Sequence, residues 1–502
     1  MKHGFSSTSL YCVQRLIIVG LIGAFSACST MAPVTSVTSV SSQTSTVFQR
    51  ALVSEQGFNW VVLGEQGQAI ARSITGATMC PALIQDGVAQ TMTVRAASGS
   101  VAQRKTASSA EDSKASDFPV LTCEAILNPA TRVASINGQT LPLPKQVPQK
   151  ILVIGDTGCR LKKADNYFQP CNDASKWAFY DVIKTATEFK PDLVIHVGDY
   201  HYRENRCPEG NAECAGSPWG YGWDTWKADF FTPAAPLLKV APWVVVRGNH
   251  ESCIRAGQGW WRMMDPRPLQ AGRDCNLEQD DMRGDYSPPY AVPLGKFGEQ
   301  NAQLIVFDSA KIPGKAIAKI DPAYTIYMQQ FQAVDQLSEQ ADFNFFINHH
   351  PILGFASDRK KGESVEFKPG NAALQSLMQN YHPVRLFPSK VQATLSGHVH
   401  LFEAISFTSD HPTQFVSGNG GSSLDQALPN QIPAGMTPFP AAEVDHFSNS
   451  NEVGFMTMER IAEGWKMQSW DKTGKLMTAC LMSDGKTKCK LMTQQPKQLP
   501  KQ

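Results

Sequence analysis

Five short apolar runs in this 502-residue chain each end in side chains able to bind metal ions. The run 151–154 leads into Gly155-Asp156-Thr157-Gly158, and 193–197 into Gly198-Asp199-Tyr200-His201-Tyr202. The run 243–246 ends in Arg247-Gly248-Asn249-His250-Glu251, 343–347 in Asn348-His349-His350-Pro351, and 393–395 in Ser396-Gly397-His398-Val399-His400. Two carboxylates, a phenol, an amide and three imidazoles, one of them from the pair His349-His350, offer mixed oxygen and nitrogen donors. Hard or borderline divalent and trivalent ions take such sets. The donors are too many for one ion, but two ions sharing a carboxylate would use them all. On extended backbone the spacing His398-Val399-His400 aims both rings to one side, so neighbouring ions can each take one. Each motif alone has an ordinary structural use: Gly-Asp makes turns, and His349-His350-Pro351 is a strand end blocked by proline. Their recurrence at five strand ends is what points to a two-ion centre.

Strands alternating with helices must position these residues, which predicts an α/β sheet whose carboxyl ends carry the ligands. The pattern places helices over 176–189, started by Ser175 and stopped before Pro191, and over 326–340. The Gly-, Cys- and Trp-rich stretch 203–223 reads as a stapled surface loop beside the second strand end. Ahead of this region, 48–148 holds short β-like segments and is expected to form a small β domain. It is interrupted by a mobile loop at 96–116, where Ser, Ala and Lys show no apolar period. The Pro-rich residues 141–148 mark the boundary to a catalytic domain over 149–490. Alternating residues at 453–481 are expected to supply the last strands of the second sheet, and 491–502 reads as a disordered tail.

The amino terminus assigns a compartment. Lys2 and Arg15 precede an apolar run at 16–25 that is too short to span a bilayer, so 1–28 reads as an export signal. Phe25-Ser26-Ala27-Cys28 resembles a bacterial lipobox with Phe in place of the usual Leu, and Ser29 resembles an outer-membrane sorting residue. The expectation is a lipoprotein anchored through Cys28 in a Gram-negative periplasm or outer membrane, with 29–47 as a flexible Ser/Thr-rich tether. Ten of the 12 cysteines follow this leader. Their spacing invites the pairs Cys80 with Cys123, Cys159 with Cys171, Cys207 with Cys214, Cys253 with Cys275, and Cys480 with Cys489, as suits an oxidising compartment. A net charge of +1 gives no sign of specific nucleic-acid binding.

Taken in order, the motifs around Asp156, Asp199, Asn249, His349 and His398 resemble those of the calcineurin-like metallophosphoesterases. Gly158 stands where most of that superfamily has a histidine, and Tyr202 follows Asp199 by three residues; both features resemble the purple acid phosphatase variant. The glycine-rich 417–421 is similar to a segment near that family's last motif. The resemblance implies a four-layer α/β/β/α fold. It implies one ion held by Asp156, Asp199, Tyr202 and His400, a second held by Asp199, Asn249, His349 and His398, and Asp199 as the bridge. Fe(III) is implied at the Tyr202 site, with Fe(II), Zn(II) or Mn(II) at the other. His350 is the alternative to His349. Two cations about 3.5–4 Å apart lower the pKa of a bound water, polarise a phosphoryl oxygen and stabilise an in-line displacement. His250 is implied to protonate the leaving oxygen or hold the phosphate; its structural alternative is a ring hydrogen-bonded to Glu251. The expected activity is hydrolysis of small-molecule phosphate monoesters. A phosphodiesterase or nucleotidase, a non-catalytic phosphate-binding lipoprotein, and an adhesion protein working through the β domain are the alternatives.

Overall fold

A computed structural model describes residues 57–358, 365–483 and 485–492. The export leader, the tether, Cys28 and the tail from residue 493 lie outside the described residues. Two large sheets carry the chain. The 11-stranded sheet has Lys150–Ile154, Leu193–His196 and Trp243–Val245 as neighbouring parallel strands near its middle. The seven-stranded sheet has Phe343–Ile347 beside Val391–Ser396, again parallel. All five apolar runs are therefore strands, and their carboxyl ends carry the candidate ligands.

Period-2 alternation explains the layering. Ile151, Val153 and Ile195 of the first sheet pack in one buried cluster with Phe345, Ile347, Ala393 and Leu395 of the second, so these faces meet. The intervening residues Leu152, Ile154 and Val194 face outward onto Val182 and Ile183 of helix Phe179–Glu188 and onto Phe230 and Leu237. Ile305 and Phe346 of the second sheet face outward onto Tyr327 and Phe331 of helix Pro322–Ser338. The result is the expected four-layer α/β/β/α sandwich. Helix Pro322–Ser338 starts four residues before the sequence signal because Asp321 caps it, accepting from the Ala323 N–H at 2.9 Å. The five expected disulfides all form.

Three expectations need correction. Residue 148 does not bound a sheet, because Phe58–Leu63 pairs parallel with Trp243–Val245 and brings Ala69–Thr75, Leu121–Ile126 and Thr93–Ala96 into the same 11-stranded sheet. The strands Gly454–Ile461, Gly464–Asp471 and Leu476–Ser483 likewise extend that first sheet through Lys150–Ile154, rather than completing the second. The tract at 96–116 is pinned rather than loose. Gly99–Val101 pairs with Ser116–Phe118, and the Arg104 guanidinium holds both carboxylate oxygens of Asp281 and the Cys275 carbonyl.

Candidate metal centre

The candidate ligands follow strand ends, and three of the seven lie on backbone few residues adopt. Asp156, Asp199 and His398 have φ of 55°, 57° and 68°. Left-handed backbone in non-glycine residues is strained, and functional sites are where such strain gathers. Gly198, at φ 103°, is held to glycine for a second reason: a Cβ there would stand 2.5 Å from His349 Nδ1.

The structure brings all seven predicted ligands together in two overlapping groups. The Tyr202 hydroxyl lies 2.9 Å from Asp156 Oδ1, 2.9 Å from Asp199 Oδ2 and 2.8 Å from His400 Nε2. On the other side of Asp199, His349 Nε2 is 3.2 Å from Asp199 Oδ2 and 3.0 Å from Asn249 Oδ1, and His398 Nδ1 is 3.0 Å from the same amide oxygen. Asp199 Oδ2 belongs to both groups. Ligand atoms of Asp156, Asp199 and His349 lie within 4.8 Å of one another, as do those of His349, His350 and His398. His349 rather than His350 turns toward the carboxylates, since His350 Nδ1 faces Ser309 Oγ at 3.1 Å.

Outer partners fix the tautomers. His400 Nδ1 meets the Ser423 carbonyl, and His349 Nδ1 the Val197 carbonyl at 2.9 Å. A carbonyl only accepts, so both Nδ1 atoms carry a proton and both Nε2 lone pairs face the site. The phenol oxygen thus has one proton for three acceptor neighbours. This electron-rich knot is what a cation satisfies, and the donor set fits two of them. The same crowding of acceptors shows in the proton affinities of the groups. Burial, then Asp156 and Asp199, pushes the Tyr202 hydroxyl well above its ordinary value. Burial opposes a charge on His349, but Asp199 outweighs it and pushes the ring up to about 9.

Several supporting residues escaped sequence reasoning. The Glu251 carboxylate accepts from the backbone N–H of Asp199, Tyr200, His201 and Gly248 at 2.9–3.2 Å, tying the Asp199 loop to the Asn249 loop. His250 therefore does not bond Glu251. Its Nδ1 faces Glu204 Oε1 at 3.1 Å, which Arg255 also holds at 3.2 Å, and its ring packs on Tyr202 with centroids 4.0 Å apart. Its backbone N–H donates to Asp199 Oδ1 at 2.9 Å. Asp229 accepts from the N–H groups of Cys159 and Tyr202 at 2.7 and 2.6 Å, from a π-helical turn at Lys227–Phe231. A long-range acceptor of this kind leaves no local signal. Among the arginines, Arg247 is buried against the Glu251 and Gly284 carbonyls and Asp308 rather than on the surface. Arg160 pairs with Asp165 at 3.0 Å and lies 4.9 Å over the Tyr202 ring. His201 is buried between Tyr221 and Trp226.

Comparison with known proteins bears on the family and the fold. The family described as calcineurin-like phosphoesterase matches residues 149–402. A nucleotide pyrophosphatase/phosphodiesterase of barley (Hordeum vulgare) is 24% identical over 264 residues, 51% of this chain and 59% of the relative. The chain therefore spans less than two thirds of that relative. The structure of a purple acid phosphatase from yellow lupin (Lupinus luteus) seeds shares the fold, with a TM-score of 0.51 at 16% identity over 86% of this chain and 73% of that one.

Proposed function

Because the chain belongs to the calcineurin-like phosphoesterases, whose match covers residues 149–402, we propose that it hydrolyses phosphate monoesters at a dinuclear metal centre. The observation that carries this reading is the Tyr202 hydroxyl set 2.8–2.9 Å from Asp156, Asp199 and His400. Asp156, Asp199, Tyr202 and His400 would hold one ion, and Asp199, Asn249, His349 and His398 the other. A phenolate favours Fe(III) at the first; Fe(II), Zn(II) or Mn(II) suits the second. Bound there, two cations activate water and neutralise charge developing on a phosphoryl group.

The chain's own residues supply the rest. Asp199 spans both groups and is fixed by the Glu251 and His250 backbone contacts, so its carboxylate needs no reorganisation during the reaction. His250 stands with Nε2 3.9 Å from Asp199 Oδ2 and Nδ1 toward Glu204. Glu204 is held down at about 2 because His250 and Arg255 outweigh its burial, and it offsets in part the burial and the Arg255 charge that lower the His250 ring, so a proton on that ring would be given up readily to a leaving oxygen. Export and lipid anchoring through Cys28 complete the reading; the five disulfides support an oxidising compartment. No helix among the described residues is long and apolar enough to cross a membrane.

A phosphodiesterase is the second reading, favoured by the activity for which the barley relative is named. Turnover of an aryl phosphate monoester against the matching diester, with Asp199→Asn as control, tests both. Monoester preference, lost by more than about 100-fold in the variant, is the expected result, since even outer partners of a metal centre are worth about 10–100-fold. Diester preference would transfer the function to the second reading. Ion-dependent turnover of neither would leave a phosphate-binding protein.

A further inference from the structure

The metal centre opens on one side into a hollow that the reading above leaves without a task. Asn249 and His398 are the members of the ligand set that reach solvent. Beside His398 and His350 lies a space of about 640 Å³, walled by Pro351, Phe355, Pro369, Pro438, Phe439 and Pro440. Among the described residues, no aspartate or glutamate lines it, and Lys368 is the one lysine or arginine on its wall. An anion at the ions is therefore not repelled from this side.

The two amide side chains of the wall already brace it. Gln375 Nε2 donates to the carbonyls of Ile352 and Pro438, both at 2.8 Å, and so straps two walls together. Asn371 Oδ1 accepts from the Leu374 N–H at 3.0 Å, capping helix Ala372–Met378, while its Nδ2 donates to the Pro313 carbonyl at 3.1 Å. With both Gln375 N–H groups and the Asn371 oxygen committed to the wall, a nucleobase seated there would find few amide partners for its polar edges, at a loss of affinity. A ring without such edges loses nothing and gains contact with proline and phenylalanine faces. Proline side chains also have little freedom to lose on binding.

We infer that this hollow holds the organic part of the substrate, and that the protein acts on phosphate monoesters of alcohols bearing an uncharged, bulky apolar group, aromatic above all. The inference rests on the phosphomonoesterase reading. Its chemistry is an anionic head at the ions and an apolar body against Phe355, Phe439 and the prolines.

Two substitutions can fill the hollow without touching the ligand set. A Cβ at Gly314 meets nothing within 4 Å, and Ala372 is an exposed residue opening a helix. The test compares kcat/KM for 2-phenylethyl phosphate and ethyl phosphate, whose alcohols leave with similar basicity, in the full chain and in Gly314→Phe and Ala372→Trp. The expected preference of the unaltered protein for the phenylethyl ester is about 10–100-fold, the worth of burying one such ring. Either filled variant should bring it below about threefold and leave ethyl phosphate turnover within about twofold. Ethyl phosphate turnover with no phenylethyl preference would overturn the inference alone, as would a preference that survives in both variants. Adenosine 5′-monophosphate preferred over the phenylethyl ester would also overturn it. Failure to hydrolyse either ester or an aryl phosphate would remove the underlying reading as well.

Discussion

Replacing Glu251 with Gln should damage the site far more than the fold. Oε1 of Glu251 accepts from the N–H groups of Tyr200 and His201, and Oε2 from those of Asp199 and Gly248, at 2.9–3.2 Å. A carboxamide keeps one oxygen, so two buried N–H groups lose their acceptor and face an NH2 group instead. At about 1–3 kcal/mol for each unpaired buried group, the loss is about 2–6 kcal/mol. Unfolding entropy of about 2.1 cal/mol/K per residue makes one kcal/mol worth only about 1 °C in a unit of this size, so Tm should fall by about 2–6 °C. The same change releases the turns that aim Asp199 and Asn249. A displacement of about 1 Å in a catalytic arrangement is worth about 100-fold in rate, and loss of an outer partner about 10–100-fold in ion affinity. Thermal melting, ion content after dialysis and aryl phosphate turnover, measured on one preparation, separate the two effects. Turnover and ion content within about threefold of the unaltered protein, with Tm lowered as expected, would refute the argument that Glu251 couples the two loops.

Two other substitutions probe the same structure. Tyr202→Phe removes the one oxygen shared by Asp156, Asp199 and His400; ion content should drop by about one ion per chain, with any visible absorption band, and an unchanged content would exclude Tyr202 as a ligand. Glu403 is buried, and burial pushes it up to about 8, against 4.5 when unfolded. The native state therefore keeps a proton that the unfolded chain releases, so stability is complete below about pH 4.5 and falls as pH rises toward 8. Between pH 5 and 8 that loss is about 3 kcal/mol, and denaturant unfolding of Glu403→Gln should lack most of it; identical pH slopes in both proteins would contradict the assignment.

What could be read in the sequence, and what could not, divides by range. The strands at 151–154, 193–197 and 343–347 announce themselves because both faces of each are covered, which makes them continuous apolar runs. The ligands are legible because each stands beside its run. The strand Phe58–Leu63 falls among the β-like segments of 48–148, and Trp243–Val245 is itself an apolar run, but their pairing is not legible: across so long a separation it depends on an open sheet edge that only the assembled sheet presents. The tract at 96–116 reads as loose for the complementary reason. Its order comes from Arg104 and Asp281 and from Asn205 reaching Ser108 Oγ at 2.9 Å, single polar contacts with no periodicity. Glu251 was in view beside His250, yet nothing in its neighbours says that its carboxylate turns back to the Asp199 loop.

The departure at Gly158 is where sequence and geometry explain one another best. A Cβ on residue 158 would stand 2.8 Å from the Tyr202 nitrogen, 2.8 Å from Tyr202 Cδ2 and 2.8 Å from the Tyr200 carbonyl oxygen. Two of those atoms are backbone, so no rotamer change relieves the contact. A side chain at 158 and a tyrosine lying in this place are mutually exclusive, and a chain must choose one donor or the other. Asp229 makes the choice firm, because the same carboxylate takes the N–H of Cys159, next to the glycine, and the N–H of Tyr202. Cys159 is anchored in turn by its disulfide to Cys171. Gly158 is thus less a missing ligand than the space in which Tyr202 sits, and the arrangement that delivers a phenol to Asp156 and His400 extends from a buried helical carboxylate to a disulfide.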